Sequence, residues 1–165
     1  DELVWTRLTN GEDDILLATR NGKAIRFSEK AVRSMGRATT GVRGMRLKKD
    51  DEVISMDVIS TGTKADLLVI MENGLGKKTP IQNFSKQGRG GQGVKVAKVS
   101  AKTGKVVLCQ MIPQTCMALI ITSLKGQVVK LAIEDIPRRS RATQGVILMR
   151  FSDKNDRIAA AACVS

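Results

Sequence analysis

Histidine and tyrosine do not occur in this 165-residue sequence. Their absence excludes imidazole acid–base chemistry, histidine-ligated metals and a tyrosine nucleophile. Aromatic residues amount to one Trp and three Phe, too few for a platform on which successive unpaired bases could stack. Cys109, Cys116 and Cys163 are odd in number and show no CxxC spacing, so neither a disulfide framework nor a zinc site is indicated. They read as small apolar residues in a reducing compartment. No apolar run approaches the roughly 18 residues of a membrane span, and no secretory leader opens the chain. The expectation is a soluble cytoplasmic domain with no catalytic residue, metal, cofactor or membrane partner.

Acidic residues are also few, 16 against 28 Lys and Arg, for a formal charge of +12. Hydrophobic residues make up 42%, enough for a core, so this is not a disordered basic tail. A folded domain this positive points to a polyanion, most often nucleic acid.

The chain repeats itself. The turn dipeptides Asn21-Gly22, Asn73-Gly74 and Lys125-Gly126 recur every 52 residues, and so do Gly41-Val42, Gly93-Val94 and Gly145-Val146. An apolar run precedes each turn: Ile15 to Leu17, Leu67 to Val69, Leu119 to Ile121. Each copy reads as four short strands, with a tight hairpin joining the first two and a loop such as Ser28 to Gly41 leading to the third. Four strands in this length is the arithmetic of a propeller blade. The fold expected is all-β, with three four-stranded, propeller-like repeats forming one domain. Residues 1–12 should form a leading strand and turn, and 13–64, 65–116 and 117–165 one blade each, the middle one carrying a glycine-rich box. Leu3 to Leu8 aligns with the fourth strand at Ser55 to Ser60. Three blades are fewer than the four to eight of closed propellers, so the chain looks like an arc of a larger ring.

The copies also isolate what is special in the segment Lys86 to Val96, "KQGRGGQGVKV". The last glycine of the loop is common to all copies (Gly41, Gly93, Gly145) and suits a turn with positive φ. Gly90 and Gly91 are not common: the other copies carry Ala38-Thr39 and Ala142-Thr143. Their expected value is close backbone approach, with N–H groups turned toward phosphate oxygens. Three positions are basic in every copy: Arg26, Lys78 and Lys130; Arg37, Arg89 and Arg141; Arg46, Lys98 and Arg150. Together with Lys86, Gln87, Arg89, Gly90, Gly91, Gln92, Gly93 and Lys95 they are the candidate DNA-binding residues. Acidic residues gather elsewhere, at Asp13-Asp14, Asp50 to Glu52 and Asp153 with Asp156. Segregated sign, few aromatics and no recognition helix point to a sequence-tolerant grip on duplex DNA.

Gln87-Gly88-Arg89-Gly90-Gly91-Gln92-Gly93 resembles the signature heptapeptide of the gyrase A C-terminal domain family, Q-(R/K)-R-G-G-K-G. "AIRFSEKAVRSMGRATTGVRGMRL" (Ala24 to Leu47), "NGLGKKTPI" (Asn73 to Ile81) and "SRATQGVILMR" (Ser140 to Arg150) look like blades of the same family. The resemblance implies a β-pinwheel, normally of six blades, whose basic rim wraps duplex DNA and supports negative supercoiling. It implies as partners the remainder of gyrase A and, through it, gyrase B, and a nucleoid-associated location. Gly88 and Gln92 stand where the family pattern has basic residues, and the box lies in the middle copy, which suits about the last three blades. The equivalent domain of topoisomerase IV and a propeller-like protein-interaction scaffold are the alternatives. A nucleotide-binding loop is not one of them, because no G-K-[ST] or helix follows the glycines. An arc with exposed blade edges is further expected to self-associate.

Overall fold

The computed structural model describes residues 2–165. The first repeat forms β1 (Asp14–Thr19), β2 (Lys23–Ser28) and β3 (Val53–Ile59). The second forms β4 (Asp66–Met71), β5 (Leu75–Pro80), β6 (Val94–Lys95) and β7 (Val106–Met111). The third forms β8 (Ala118–Ser123), β9 (Val128–Ala132), β10 (Val146–Ile147) and β11 (Ile158–Val164). Helical structure among the described residues is confined to three 3-10 turns, Glu29–Ala31, Ile81–Asn83 and Ile133–Asp135, again 52 residues apart.

The hairpin turns obey one rule. Gly22, Gly74 and Gly126 have φ of +81°, +90° and +88°, and each donates its N–H to the carbonyl three residues back at 3.1 Å. Only glycine adopts that left-handed conformation without a steric penalty.

A repeat does not supply its own blade, contrary to the sequence expectation. The sheet orders are β3-β1-β2-β6, β7-β4-β5-β10 and β11-β8-β9. The third strands of the second and third repeats therefore pair with the second strand of the repeat before. Val94 lies opposite Ala24 and Lys95 opposite Lys23, and 52 residues on, Val146 lies opposite Gly76 and Ile147 opposite Leu75. The cause is the long loop, which crosses to the preceding blade as soon as its 3-10 turn ends. Gln87 N–H donates to Arg26 O at 2.7 Å, and Arg139 N–H to Lys78 O at 2.8 Å.

Two segments have no ladder as a result. Val42 to Leu47, the third strand of the first repeat by sequence, is not a strand. The outer edge of β9 carries no partner among the described residues. The expected leading strand at Leu3 to Leu8 is absent too: Glu2 to Asn10 has no regular structure. Extended backbone becomes a strand only when a neighbour takes up its N–H and C=O groups, and no described segment does so there.

Apolar faces hold the blades together. In β4 alternate residues turn opposite ways. Leu67 and Val69 pack with Leu16, Ala18 and Ala24 of the first blade, and Leu68 and Ile70 with Leu119 and Ile121 of the third. With both faces covered, Leu67 to Met71 is entirely buried, which is why it reads as an unbroken apolar run.

Candidate nucleic-acid interface

The repeated basic residues divide by what they touch. Arg26 donates Nε to Asp14 at 2.9 Å and Nη1 to Ile81 O at 3.4 Å, and Lys78 Nζ donates to Ile133 O at 2.6 Å. Those two carbonyls are 52 residues apart, so the basic side chain is a strut from one blade to the 3-10 turn of the next. Lys130, the third member, is exposed. Arg89 follows the same logic, donating Nη1 to Arg43 O at 2.6 Å and Nε to Ala31 O at 3.0 Å. Arg141 donates to Lys95 O at 3.4 Å, while Arg37 is exposed and bonded to no described residue. Lys86 pairs with Asp14 at 2.8 Å, and its repeat equivalent Arg138 with Asp66 at 2.7 Å. Recurrence of one sign at one register therefore has a structural cause at these positions. A sequence comparison that stays within each repeat misses it, because the partners lie one blade away.

Arg46, Lys98 and Arg150 behave differently. Their side chains are exposed and make no ion pair among the described residues. The backbones of two are anchored instead: Arg46 N–H donates to Gly91 O at 2.8 Å and Lys98 N–H to Thr143 O at 3.1 Å. A free cation once per repeat, on an anchored backbone at two of the three positions, suits a row of phosphates.

The sequence reading overlooked Lys23. It lies directly opposite Lys95 across β2 and β6. Val96 N–H bonds to Gly22 O at 2.9 Å, which makes the neighbouring Lys23–Lys95 pair a non-hydrogen-bonded one, the closer of the two antiparallel kinds. Like charges facing each other destabilise a ladder, and the same pair in the next blade is Leu75 with Ile147. Lys23, Arg46, Lys48 and Gln92 line one small recess together with Asp51. Of these, Gln92 is the residue that the cross-blade pairing brings in, the others belonging to the first repeat.

The glycines of the box are partly structural. Gly90 has φ +84° and gives its N–H to Gly44 O at 2.8 Å, so that N–H is not offered outward. Ala142, its counterpart, has no positive φ. This corrects, for Gly90, the expectation that its N–H turns toward phosphate oxygens. Gly91 needs no such conformation, and a Cβ there would lie 3.6 Å from Ile25 Cδ1, an ordinary contact. Among the described residues the N–H groups of Gly88, Arg89, Gly91 and Gln92 have no protein acceptor. Gly93 has φ +71°, and a Cβ on it would lie 2.2 Å from Ala24 O. It is the glycine on which the strand exchange depends.

Beneath the third loop lies Lys77, wholly buried where the first repeat has Ile25. Its Nζ donates to Ser140 O and Arg141 O, both at 2.8 Å, and to Thr143 Oγ1 at 3.3 Å. Burial pulls its pKa down to about 8. Burial likewise pushes up Cys109, and pushes Cys163 up to about 12, so these thiols are poor nucleophiles.

Known proteins resemble this arrangement throughout. A family described as "DNA gyrase C-terminal domain, beta-propeller" matches residues 13–60, 65–112 and 118–165. DNA gyrase A of Staphylococcus aureus (strain MRSA252) is 39% identical over 93% of this chain, and the chain spans 17% of that relative's length. In structure, the C-terminal domain of a DNA topoisomerase IV matches with TM-score 0.83 and 24% identity, over 96% of this chain and 48% of that one. A DNA gyrase A C-terminal domain matches with TM-score 0.76 and 24% identity, over 92% and 50%. The E. coli ParC C-terminal domain gives 0.74 and 21%, over 95% and 62%. At these identities the solved structures establish the shared fold. Three family matches falling one on each repeat establish more: the chain belongs to the DNA gyrase C-terminal domain family of beta-propellers.

Proposed function

We propose that this chain binds duplex DNA through its phosphates and bends it along the arc, as the accessory wrapping domain of a type II topoisomerase that introduces negative supercoils. One observation carries the reading. The cations left over once the blade-to-blade struts are subtracted are exposed or half-exposed: Arg46, Lys98 and Arg150, one in each repeat, and the facing pair Lys23 and Lys95 at the first junction. The free N–H groups of Gly91 and Gln92 belong to the same loop. Arg26, Lys78, Arg89 and Arg141 support this surface by holding the blades in register, and Lys86 does so through Asp14.

In this reading the chain works as part of gyrase A, joined through it to gyrase B at the nucleoid, and chemistry resides on those other parts. The 39% identity to a gyrase A favours gyrase. The topoisomerase IV equivalent is favoured by the missing basic residues at Gly88 and Gln92 and by the TM-score of 0.83.

The test is binding of a short duplex as a function of salt. With roughly five phosphates neutralised, log K should fall against log salt with a slope of about −4 to −5, with little dependence on sequence. Fluorescence transfer between the duplex ends should report bending. A nearly flat salt response removes the phosphate track and leaves a protein-interaction scaffold.

A further inference from the structure

The two junctions between described blades share a backbone and differ in chemistry. At the first, Val96 N–H donates to Gly22 O at 2.9 Å, and Lys95 lies opposite Lys23. At the second, Leu148 N–H donates to Gly74 O at 2.8 Å, and Ile147 lies opposite Leu75. The donated strands also start alike, from Gly93 at φ +71° and Gly145 at φ +81°. A side chain at position 147 is therefore presented to the rim as the one at position 95 is. Lys48, which joins Lys23 and Arg46 in the recess of the first junction, has Ser100 as its repeat equivalent. Lys23, Lys95 and Lys48 thus give way to Leu75, Ile147 and Ser100, whereas the basic residue at Arg46 is kept as Lys98.

Packing does not account for Ile147. Its cross-strand partner Leu75 is 4% exposed, yet Ile147 itself remains 47% exposed. Among the exposed large apolar side chains it is the one on a strand passed between described blades. With Leu75, Met149 and Phe151 it walls a groove of about 320 Å³, which Lys102 and Arg150 also line. Both of those cations are exposed and make no ion pair among the described residues. Asn73, which completes the groove, spends its side-chain N–H groups on Ala101 O and Lys102 O at 3.1 and 3.2 Å. A phosphate pocket converges polar donors, and an apolar wall beside free cations is the reverse of one. It matches what lies between successive phosphates of a nucleic-acid strand, the sugar. Deoxyribose offers C–H bonds there, whereas ribose adds a 2′-hydroxyl. Pressed against Leu75 and Ile147, that hydroxyl would give up its water to two hydrocarbon side chains.

We propose that Ile147 packs on deoxyribose at the second junction, adding a salt-independent, apolar share to duplex binding and favouring duplex DNA over a DNA–RNA hybrid. This rests on the reading of the chain as a duplex-binding arc. The first junction then holds the backbone by charge alone, and the second by charge and apolar contact together.

The test is a titration of the whole chain with a short duplex over a range of salt, with log K extrapolated to about 1 M, where counterion release no longer contributes. Ile147→Ser should keep the parental slope and lower that intercept by about three- to tenfold, the share of a half-buried isoleucine. Ile147→Lys, which copies Lys95, should lower the intercept too but steepen the slope by about one unit. The backbone accepts lysine at the equivalent place, so this variant carries the test if serine weakens β10 in circular dichroism. The ratio of intercepts for duplex DNA and for a hybrid of the same sequence should shrink severalfold in both variants. The different helical shape of the hybrid is common to parent and variants and cancels in that comparison. A flat salt response in the parent would overturn the duplex-binding reading, and this inference with it. A parental slope of about −4 to −5, with intercept and DNA-to-hybrid ratio unmoved by either variant, overturns this inference alone and leaves the groove to a protein partner.

Discussion

Lys23 and Lys95 face each other across the β2–β6 junction, in a non-hydrogen-bonded pair whose counterpart one blade on is Leu75 with Ile147. The ladder tolerates apolar residues at that place, so the two lysines do not serve it. They concentrate positive charge where the donated strand leaves the box, and an anion bound between them would offset their repulsion.

Replacing the pair by its own counterpart, Lys23→Leu with Lys95→Ile, should therefore stabilise the free protein by about 0.5 kcal/mol. The same double variant should reduce duplex affinity and make the salt slope shallower by up to roughly two units. Thermal melts and binding isotherms on one preparation check both halves. Loss of stability together with unchanged DNA binding would return the lysines to the solvated surface.

Struts and free cations should separate experimentally. Lys78→Met removes the bond to Ile133 O and should cost about 1 kcal/mol of stability or more, leaving the salt slope unchanged. Arg46→Ala and Arg150→Ala should leave Tm within error and lower the slope by about one unit each. Denaturation and salt titration of the three variants decide it.

The two glycines of the box should differ. Gly90→Ala forces an alanine to φ +84° and should destabilise by about 1 kcal/mol. Gly91→Thr, which copies Thr39 and Thr143, should fold normally but bind duplex severalfold more weakly, because branched bulk covers the free N–H groups. Equal binding by Gly91→Thr and the parent would make the glycines a turn and nothing more.

Lys77 gives the protein a pH dependence of known sign. Its folded pKa is lowered to about 8 from 10.5, so between those values the unfolded chain holds more protons than the folded one, and stability rises with pH. Below about 8 the cost of the buried charge is borne in full, and it is relieved as pH climbs toward 10.5. The gain should be on the order of 2 kcal/mol, since the two carbonyls and Thr143 offset part of the burial. Urea denaturation at pH 7.5, 9 and 10 should show the rise in the parent, and Lys77→Ile, copying Ile25, should remove it.

Period and polarity were open to inspection in the chain itself. A turn that demands glycine at Gly22, Gly74 and Gly126, and apolar runs placed at a constant distance from it, state a repeat and a strand count without any partner, because φ preference and strand alternation are local properties. The family-specific box could be read in the same way. Which strand joins which sheet could not, since β6 and β10 pair across repeat boundaries and a ladder is defined by two segments at once. That one fact of tertiary structure turned Arg26, Lys78, Arg89 and Arg141 from candidate phosphate ligands into struts. It also brought Lys23 to Lys95, and it leaves Val42 to Leu47 and the outer edge of β9 without a ladder among the described residues. Charge and its period are written in the chain, whereas the reach of each cation is decided by the blade that stands next to it.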